Sequence, residues 1–402
     1  MSVERLMSKE NLRWRDLARS LANEVVRPAA WKADRLQEYP WDVTRRLAKE
    51  GLLKVWIPEE YGGAGGERLL NLCIVVEELS RACGGIGVGF AVNALGSFPI
   101  LVGGTEEQKH RWLPPIARGE KLISFGLSEK DAGSDAQAQQ TRAELKDGKW
   151  VLNGLKKWNT GGGVADFTVV FAVTDPASKS RRISAFLVEK GTPGARIAKL
   201  EDKMGIRAIP VAEIELKNAA VPEENLIGGR PGMGFKIAMQ TLDRARPGVA
   251  AQAVGLAQGA LDFALLYATK RVQFGVPISS QQMVQQMLAD SATKVEAARA
   301  LVHTAARASD AGEENIGKLS AMAKVFATDV AMQVTTDAVQ IFGGYGFMKD
   351  YPVEKYMRDA KITQIYEGTN QIQRLVIARN LIKEAASLEG LAAYIPIPED
   401  LR

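Results

Sequence analysis

The chain has 402 residues, 46% hydrophobic and 25% charged, which is long enough for two or three domains with sizeable cores and ordinary for a globular protein. Its 52 Lys and Arg against 47 Asp and Glu leave a net charge of +5. No block of five or more basic residues accompanies that excess, which argues against nucleic acid; a mildly basic surface suits an anionic, phosphate-bearing ligand. Cys73 and Cys83, the only cysteines, imply no disulfide framework and fit a reducing compartment. His110 and His303, the only histidines, make neither a zinc site nor a Ser-His-Asp device expected. Chemistry then falls to a carboxylate, a cofactor or both.

Residues 1 to about 120 read as helices, clearest over Leu12 to Val26, Trp41 to Gly51 and Leu69 to Cys83. Pro28, Pro40, Pro58 and the glycine-rich run 62–66 punctuate them. The opening Met1-Ser2-Val3-Glu4-Arg5 leads into a charged, helix-like segment instead of a signal peptide, so a cytoplasmic location is expected. Gly84 to Gly104 carries no charge over 21 positions, the length of a membrane span, yet contains seven glycines with Asn93, Ser97 and Pro99. It reads as buried helix and loop that could line a pocket for an apolar ligand.

From about 122 to 228 the pattern is strand-like. Thr141 to Lys146 and Lys149 to Asn153 flank Asp147-Gly148, a hairpin signal. Phe167 to Val173, Ile183 to Glu189 and Ala212 to Leu216 are further β-rich runs, and the spacing predicts a compact antiparallel barrel or sandwich. The last third returns to helix over Val249 to Lys270, Gln281 to Ser309, Lys318 to Phe342 and Asn370 to Ala386, an antiparallel four-helix bundle. Residues 249–268 are apolar nearly all round, which hints at association through the bundle. The expected organisation is mainly α with a β middle: an N-terminal helical domain 1–121, a β domain 122–230 and a C-terminal helical bundle 231–402.

Between two helical patterns lies Gln364-Ile365-Tyr366-Glu367-Gly368-Thr369-Asn370. Val353, Tyr356, Met357 and Ala360 precede it at helical spacing, Ile372, Leu375 and Val376 follow, and Asn370 with Gln373 reads as a helix start. Glu367 beside an isoleucine and an aromatic would have its proton affinity raised, which suits a general base. The same residues are also those of an ordinary loop glutamate.

Four further motifs stand apart along the chain. Phe125 to Asp135 is a turn-rich loop with hydroxyls and exposed N–H groups, able to hold a polar ring or a phosphate, or simply a surface loop. Lys157-Trp158-Asn159-Thr160, before three glycines, offers a flat indole beside a hydroxyl, as a flat aromatic cofactor or a core tryptophan would require. Arg271-Val272-Gln273-Phe274-Gly275 pairs a phosphate-suited guanidinium with an aromatic at a helix end. Gln340-Ile341-Phe342-Gly343-Gly344-Tyr345-Gly346 allows close backbone approach, but follows a helix and is no Rossmann fingerprint.

Taken in order with Glu367, these motifs resemble the acyl-CoA dehydrogenase family over essentially the whole chain, most specifically in Leu242-Asp243-Arg244-Ala245-Arg246-Pro247, Tyr351-Pro352-Val353-Glu354-Lys355, Met357-Arg358-Asp359-Ala360-Lys361 and Tyr366-Glu367-Gly368-Thr369. The resemblance implies FAD bound between the three domains, a homotetramer, and electron-transferring flavoprotein as electron acceptor. It implies that Phe125, Leu127, Ser128, Gly133 and Ser134 contact the flavin, Ser134 also the CoA moiety, and that Trp158 and Thr160 stand beside the ring. It assigns Arg271, Phe274, Gln282, Gln340, Gly343 and Gly344 to the FAD diphosphate and adenosine, often across a subunit boundary, and Thr369 and Gln371 to the cofactor after the catalytic loop. Phe235, Asp243 and Arg246 match the CoA-bearing entrance, and Tyr366 and Gly368 the substrate side of the base.

The implied reaction is α,β-dehydrogenation of an acyl-CoA thioester, with Glu367 taking the α-proton, flavin N5 the β-hydride, and hydrogen bonds stabilising the enolate-like charge. Family members with the base on the earlier helix carry it where this chain has Ala245. Lys130, Asn159 and Gly161 depart from the family's residues, and the aliphatics of 204–211 stand where Ser and Thr are common. The uncharged segment 84–104 resembles the acyl-end lining and predicts a neutral acyl chain, because an unpaired buried carboxylate is costly. An acyl-CoA oxidase and a non-catalytic CoA- or flavin-binding protein are the rival expectations.

Overall fold

The computed structural model describes residues 3–313 and 315–394; residues 1–2, 314 and 395–402, which the expected terminal domains include, lie outside the described residues. Ser8 and Asn11 begin the first helix, α1 (Lys9–Leu21), as a reciprocal capping box, with Ser8 Oγ accepting from the Asn11 N–H and Asn11 Oδ1 from the Ser8 N–H. Pro28 does not end it. A π turn, Ala22–Val26, carries the chain into α2 (Arg27–Leu36), and Pro28 sits in that segment's first turn, where its missing N–H costs little.

After α3 (Trp41–Lys49) come α4 (Arg68–Ala82), α5 (Gly84–Gly103) and α6 (Glu106–Ala117). The uncharged stretch is one helix to Gly103 and not the helix and loop expected. Its polar side chains are satisfied in the interior: Asn93 Nδ2 donates to Gly89 O, Asn93 Oδ1 accepts from the Ile123 N–H, and Ser97 Oγ donates to Asn93 O. Its glycines permit close packing; a Cβ on Gly84 would stand 2.7 Å from Leu256 Cδ2, and one on Gly87 2.2 Å from Ser80 Oγ.

The β portion is one seven-stranded sheet: β1 (Ile123–Gly126), β2 (Arg142–Lys146), β3 (Lys149–Thr160), β4 (Phe167–Val173), β5 (Ile183–Glu189), β6 (Ala195–Leu200) and β7 (Val211–Pro222). Most pairings are antiparallel. β4 pairs with β5 along one edge, while β1 and then β2 join its other edge in parallel. Asp147 (φ 50°) and Gly148 (φ 71°) turn β2 into β3 as the sequence predicts. β6 lacked a sequence signal because it is an exposed strand of mixed composition paired to β7 alone. Val169, Phe171 and Leu187 join the helical core, whereas Val170, Phe186 and Trp150 form a second cluster, as the two faces of a covered sheet require.

The C-terminal part packs α7 (Gly234–Lys270), α8 (Gln282–Asp310), α9 (Gly317–Phe342) and α11 (Asn370–Glu384), with α10 (Val353–Thr363) against α7 and α9. α7 starts 15 residues before the Val249 expected, and Pro247 lies inside it. A short hairpin, β8 (Val272–Gln273) and β9 (Val276–Pro277), links α7 to α8. α5 and α7 are long and apolar enough to cross a membrane, but most of each is buried among other elements. Asp310 at the end of α8 accepts from the N–H groups of Leu69 and Leu70 (both 2.9 Å), capping α4 from across the molecule.

Candidate active site

The turn between α10 and α11 carries Glu367. Tyr366 N–H still bonds Ile362 O, but Glu367 (φ 52°) and Gly368 (φ 93°) are left-handed and reverse the chain. A non-glycine residue in that region costs roughly 1–3 kcal/mol and persists only where its surroundings enforce it. Gln373 Nε2 donates to Gly368 O at 2.9 Å, and a Cβ at Gly368 would lie 2.4 Å from that nitrogen. The cap of α11 is Thr369, whose hydroxyl accepts from the Ile372 N–H, one residue before the Asn370 expected. Asn370 is buried instead and donates through Nδ2 to Thr328 Oγ1 and Asp329 Oδ1 on α9, both at 2.8 Å.

The Glu367 carboxyl opens into a cavity of about 500 Å³. Its Oε2 is buried without a hydrogen-bond partner. Burial raises its pKa from 4.5 to about 7, opposed by the charges of Lys324 and Arg246. Its backbone N–H engages no described residue. Arg246 is itself buried, pairs with Asp243 and leaves Nε unpartnered. The Tyr366 hydroxyl donates to Gln252 Oε1 on α7.

The β portion supplies the opposite wall. Phe125, Leu127, Ser128, Gly133 and Ser134 line the cavity, as do Trp158 and Thr160 at the end of β3. Trp158 is left-handed (φ 59°) and 52% exposed, so its indole is presented to the cavity instead of being spent in the core. The loop behind it is fixed by a fully buried lysine, Lys156, whose ammonium donates to Leu127 O (3.0 Å), Glu129 Oε1 (2.8 Å) and Gln139 Oε1 (2.9 Å). α5 contributes Val88, Ala91, Val92, Ala94, Leu95 and Phe98, all uncharged. Ile206, also left-handed (φ 47°), is held by its N–H to Asp359 Oδ1 at 2.6 Å. Trp158, Ile206 and Glu367 thus place three strained backbone positions around one cavity.

Tyr366, Gly368 and Arg246 line this cavity; Phe235 and Asp243 lie on α7 outside its lining, Phe235 packed against the core. Thr369 is occupied in capping, and Gln371 is exposed. The remaining six gather elsewhere, at one end of the bundle. Arg271 lies over the Tyr345 ring at 5.4 Å, Phe274 at the hairpin tip is 96% exposed, and Gln282 at the start of α8 and Gln340, Gly343 and Gly344 at the end of α9 are exposed. The reading from sequence did not place Lys324, Lys156 or Gln252 at the site. A lone lysine within Ser320-Ala321-Met322-Ala323-Lys324-Val325-Phe326-Ala327 was the available signal for the first.

Acyl-CoA dehydrogenase N-terminal, middle and C-terminal domain models match residues 8–120, 124–219 and 232–382. The chain is 46% identical over 377 residues to an acyl-CoA dehydrogenase of Bacillus subtilis, covering 94% of this chain and 99% of the relative. It superposes on butyryl-CoA dehydrogenase from Megasphaera elsdenii with TM-score 0.91 at 43% identity, covering 94% and 99% of the two chains. A chain from structural work on the electron transferring flavoprotein of Acidaminococcus fermentans and flavin-based electron bifurcation gives TM-score 0.92 at 48% identity, with 94% and 99% covered. With three consecutive domain matches and these relatives, the chain belongs to the acyl-CoA dehydrogenase family of flavoprotein oxidoreductases.

Proposed function

We propose that this protein binds FAD in the cavity and removes the α and β hydrogens of a neutral acyl-CoA thioester, giving the trans-2-enoyl-CoA, with Glu367 as the base. The observation that carries the reading is the Glu367 carboxyl: inside the cavity, one oxygen unpartnered, and with proton affinity near neutrality.

The residues present fit a flat, polar-edged ring. The exposed Trp158 indole gives a plate, and the Ser128 and Thr160 hydroxyls engage no other described residue. Leu127 and Phe125 supply the apolar side, with Lys156 fixing the loop behind them. FAD, when bound, supplies the acceptor for the β-hydride. The chain's own part is the proton and the geometry. Glu367 takes the α-proton, and its free backbone N–H is available to the thioester carbonyl as charge develops there. The uncharged α5 side chains exclude water from the acyl portion.

Arg271, Phe274, Gln282, Gln340, Gly343 and Gly344 lie outside the cavity lining and on the surface of a single chain, and we assign them to the FAD of a neighbouring subunit in a homotetramer. Electron-transferring flavoprotein is the proposed electron acceptor; the Acidaminococcus fermentans neighbour supports this. Anaerobic bleaching of the flavin absorbance by a panel of acyl-CoA esters, with Glu367→Gln alongside, tests the reading. Bleaching in the parent and not in the variant is expected. A yellow protein that no ester bleaches overturns the dehydrogenation, and a colourless protein that cannot take up FAD overturns the cofactor as well. Rapid peroxide formation without an added acceptor would move the assignment to an oxidase.

A further inference from the structure

Three residues of α9, Lys324, Thr328 and Asp329, clamp the turn that carries Glu367. Thr328 and Asp329 take the Asn370 amide, and Asp329 Oδ1 also accepts from Gln364 Nε2 at 2.6 Å. Lys324 is fully buried, and its ammonium donates to Gly368 O at 2.8 Å and Asn370 Oδ1 at 2.9 Å. Neither acceptor is charged, and among the described residues Lys324 makes no ion pair. A buried ammonium served only by neutral acceptors is costly, so a uniformly structural clamp would be better built from a neutral donor.

We propose that Lys324 is a positioning residue for the base: it anchors the Glu367–Gly368 turn through the Gly368 carbonyl, and its charge favours the ionised, proton-accepting form of Glu367. The inference rests on Glu367 being the base.

The electrostatics agree with the geometry. Burial lowers Lys324 from 10.5 to about 7, and the Glu367 charge opposes that. Burial raises Glu367 to about 7, and the Lys324 charge opposes that. Each charge thus favours the charged form of the other. The other charged groups around them are Arg246 with Asp243 on α7, Asp329 on α9 paired with Arg374 of α11, and Arg358 and Lys361 on α10; the rim adds Lys157, Glu201, Asp202 and Lys203. Arg246 also lowers Glu367, but its guanidinium is paired with Asp243 at 2.6 Å.

The test uses the holoenzyme and three variants of the clamp, with Glu367→Gln as the reference. For each, the pH midpoint of anaerobic bleaching is measured, and the protonated-carboxyl infrared band that Glu367→Gln abolishes is titrated without substrate. Lys324→Met is expected to move both midpoints upward by at least about one unit. Lys324→Arg carries a charge that does not titrate, so the midpoints are expected at or below the parent's while the displaced turn slows bleaching. Asn370→Ala loosens the clamp without removing charge and is expected to slow bleaching at an unmoved midpoint. A Met variant whose midpoints match the parent's overturns the proposal. If the Met variant does not fold, Lys324→Gln takes its place, and an Arg variant whose midpoints rise above the parent's overturns it equally. If no ester bleaches the parent protein, the functional reading fails, while the infrared titration still reports whether Lys324 sets the proton affinity of Glu367.

Discussion

Tyr366 donates its hydroxyl hydrogen to Oε1 of Gln252, joining the turn that carries Glu367 to the middle of α7. Gln252 is buried, and its amide nitrogen reaches Gly84 O at the start of α5, so one side chain ties three elements around the cavity. Burial, then the neighbouring Glu367 charge, pushes the Tyr366 hydroxyl well above its usual range, so it stays a donor at every working pH. Tyr366→Phe would leave Gln252 Oε1 buried and unpaired. The expected loss is about 1–2 kcal/mol of stability, read as a lower denaturation midpoint with an unchanged slope. An unchanged midpoint would show that the bond contributes nothing net.

Glu367→Gln preserves shape and removes the proposed base. General base catalysis contributes typically 10²–10⁴-fold, and a loss of bleaching rate on the order of that factor is expected in a protein that stays folded and yellow. Loss of the flavin itself in this variant would instead assign Glu367 a role in holding the cofactor.

The pH dependence has a definite sign. A carboxyl base works ionised, and Glu367 is raised from 4.5 to about 7, so the bleaching rate should fall as pH drops through about 7 and level off above it. The same shift makes a statement about stability: its contribution is present below 4.5 and lost as pH rises through about 7. Glu367→Gln should therefore flatten both curves in the window 4.5 to about 7, as followed by stopped-flow bleaching and by thermal unfolding in matched buffers. A parent profile with no limb near 7 would contradict the assignment.

Much of this was legible from sequence because it rests on local rules. The strands Phe167–Val173 and Ile183–Glu189 fall where β-rich runs predict them, and Asp147-Gly148 turns as its residue types demand. Glu367 was legible as a glycine-containing joint between two apolar periodicities. Illegible features depend on partners far along the chain. Asn370 has the chemistry of a cap, yet Thr328 and Asp329 take its amide and Thr369 caps instead. Pro28 looks like a break until the π turn before it is seen. Gln252 carries no sequence signature and Lys324 only that of a lone lysine in a mostly apolar run; the packing of α7 and α9 against the turn brings both there.

Gly205 lines the cavity where the β portion meets α10. A Cβ there would stand 2.3 Å from Arg358 O, 2.4 Å from Arg358 C and 2.7 Å from Asp359 N, all backbone atoms of a packed helix. They cannot swing aside as a flexible side chain would. Gly205→Ala must displace the segment that bonds Ile206 N–H to Asp359 Oδ1 and Met204 O to Arg358. The expected cost is about 1–3 kcal/mol with weaker flavin retention, measured by denaturation and by absorbance after gel filtration. A variant as stable and as yellow as the parent would mean that this segment is freer than its contacts imply.

The proposed preference for a neutral acyl chain rests on where charge lies around the cavity. The α5 residues Val88, Ala91, Val92, Ala94, Leu95 and Phe98 are uncharged, and the cavity's charged side chains come from Lys157, 201–203, Arg246, Glu367, Arg358 and Lys361 instead. Arg246 is already paired with Asp243. A dicarboxylic acyl group laid along α5 would bring its second carboxylate into a surface with no cation. An unpaired buried charge costs several kcal/mol, and each 1.4 kcal/mol is tenfold, so glutaryl-CoA should bleach the flavin at least roughly 100-fold less effectively than butyryl-CoA. The comparison is made as bleaching rate against ester concentration for both. Placing a cation on α5, as in Leu95→Arg, should narrow the gap by penalising the neutral ester and pairing the charged one. Comparable bleaching by the two esters in the parent would mean that the acyl chain does not run along α5, because the α5 lining offers a terminal carboxylate no cation.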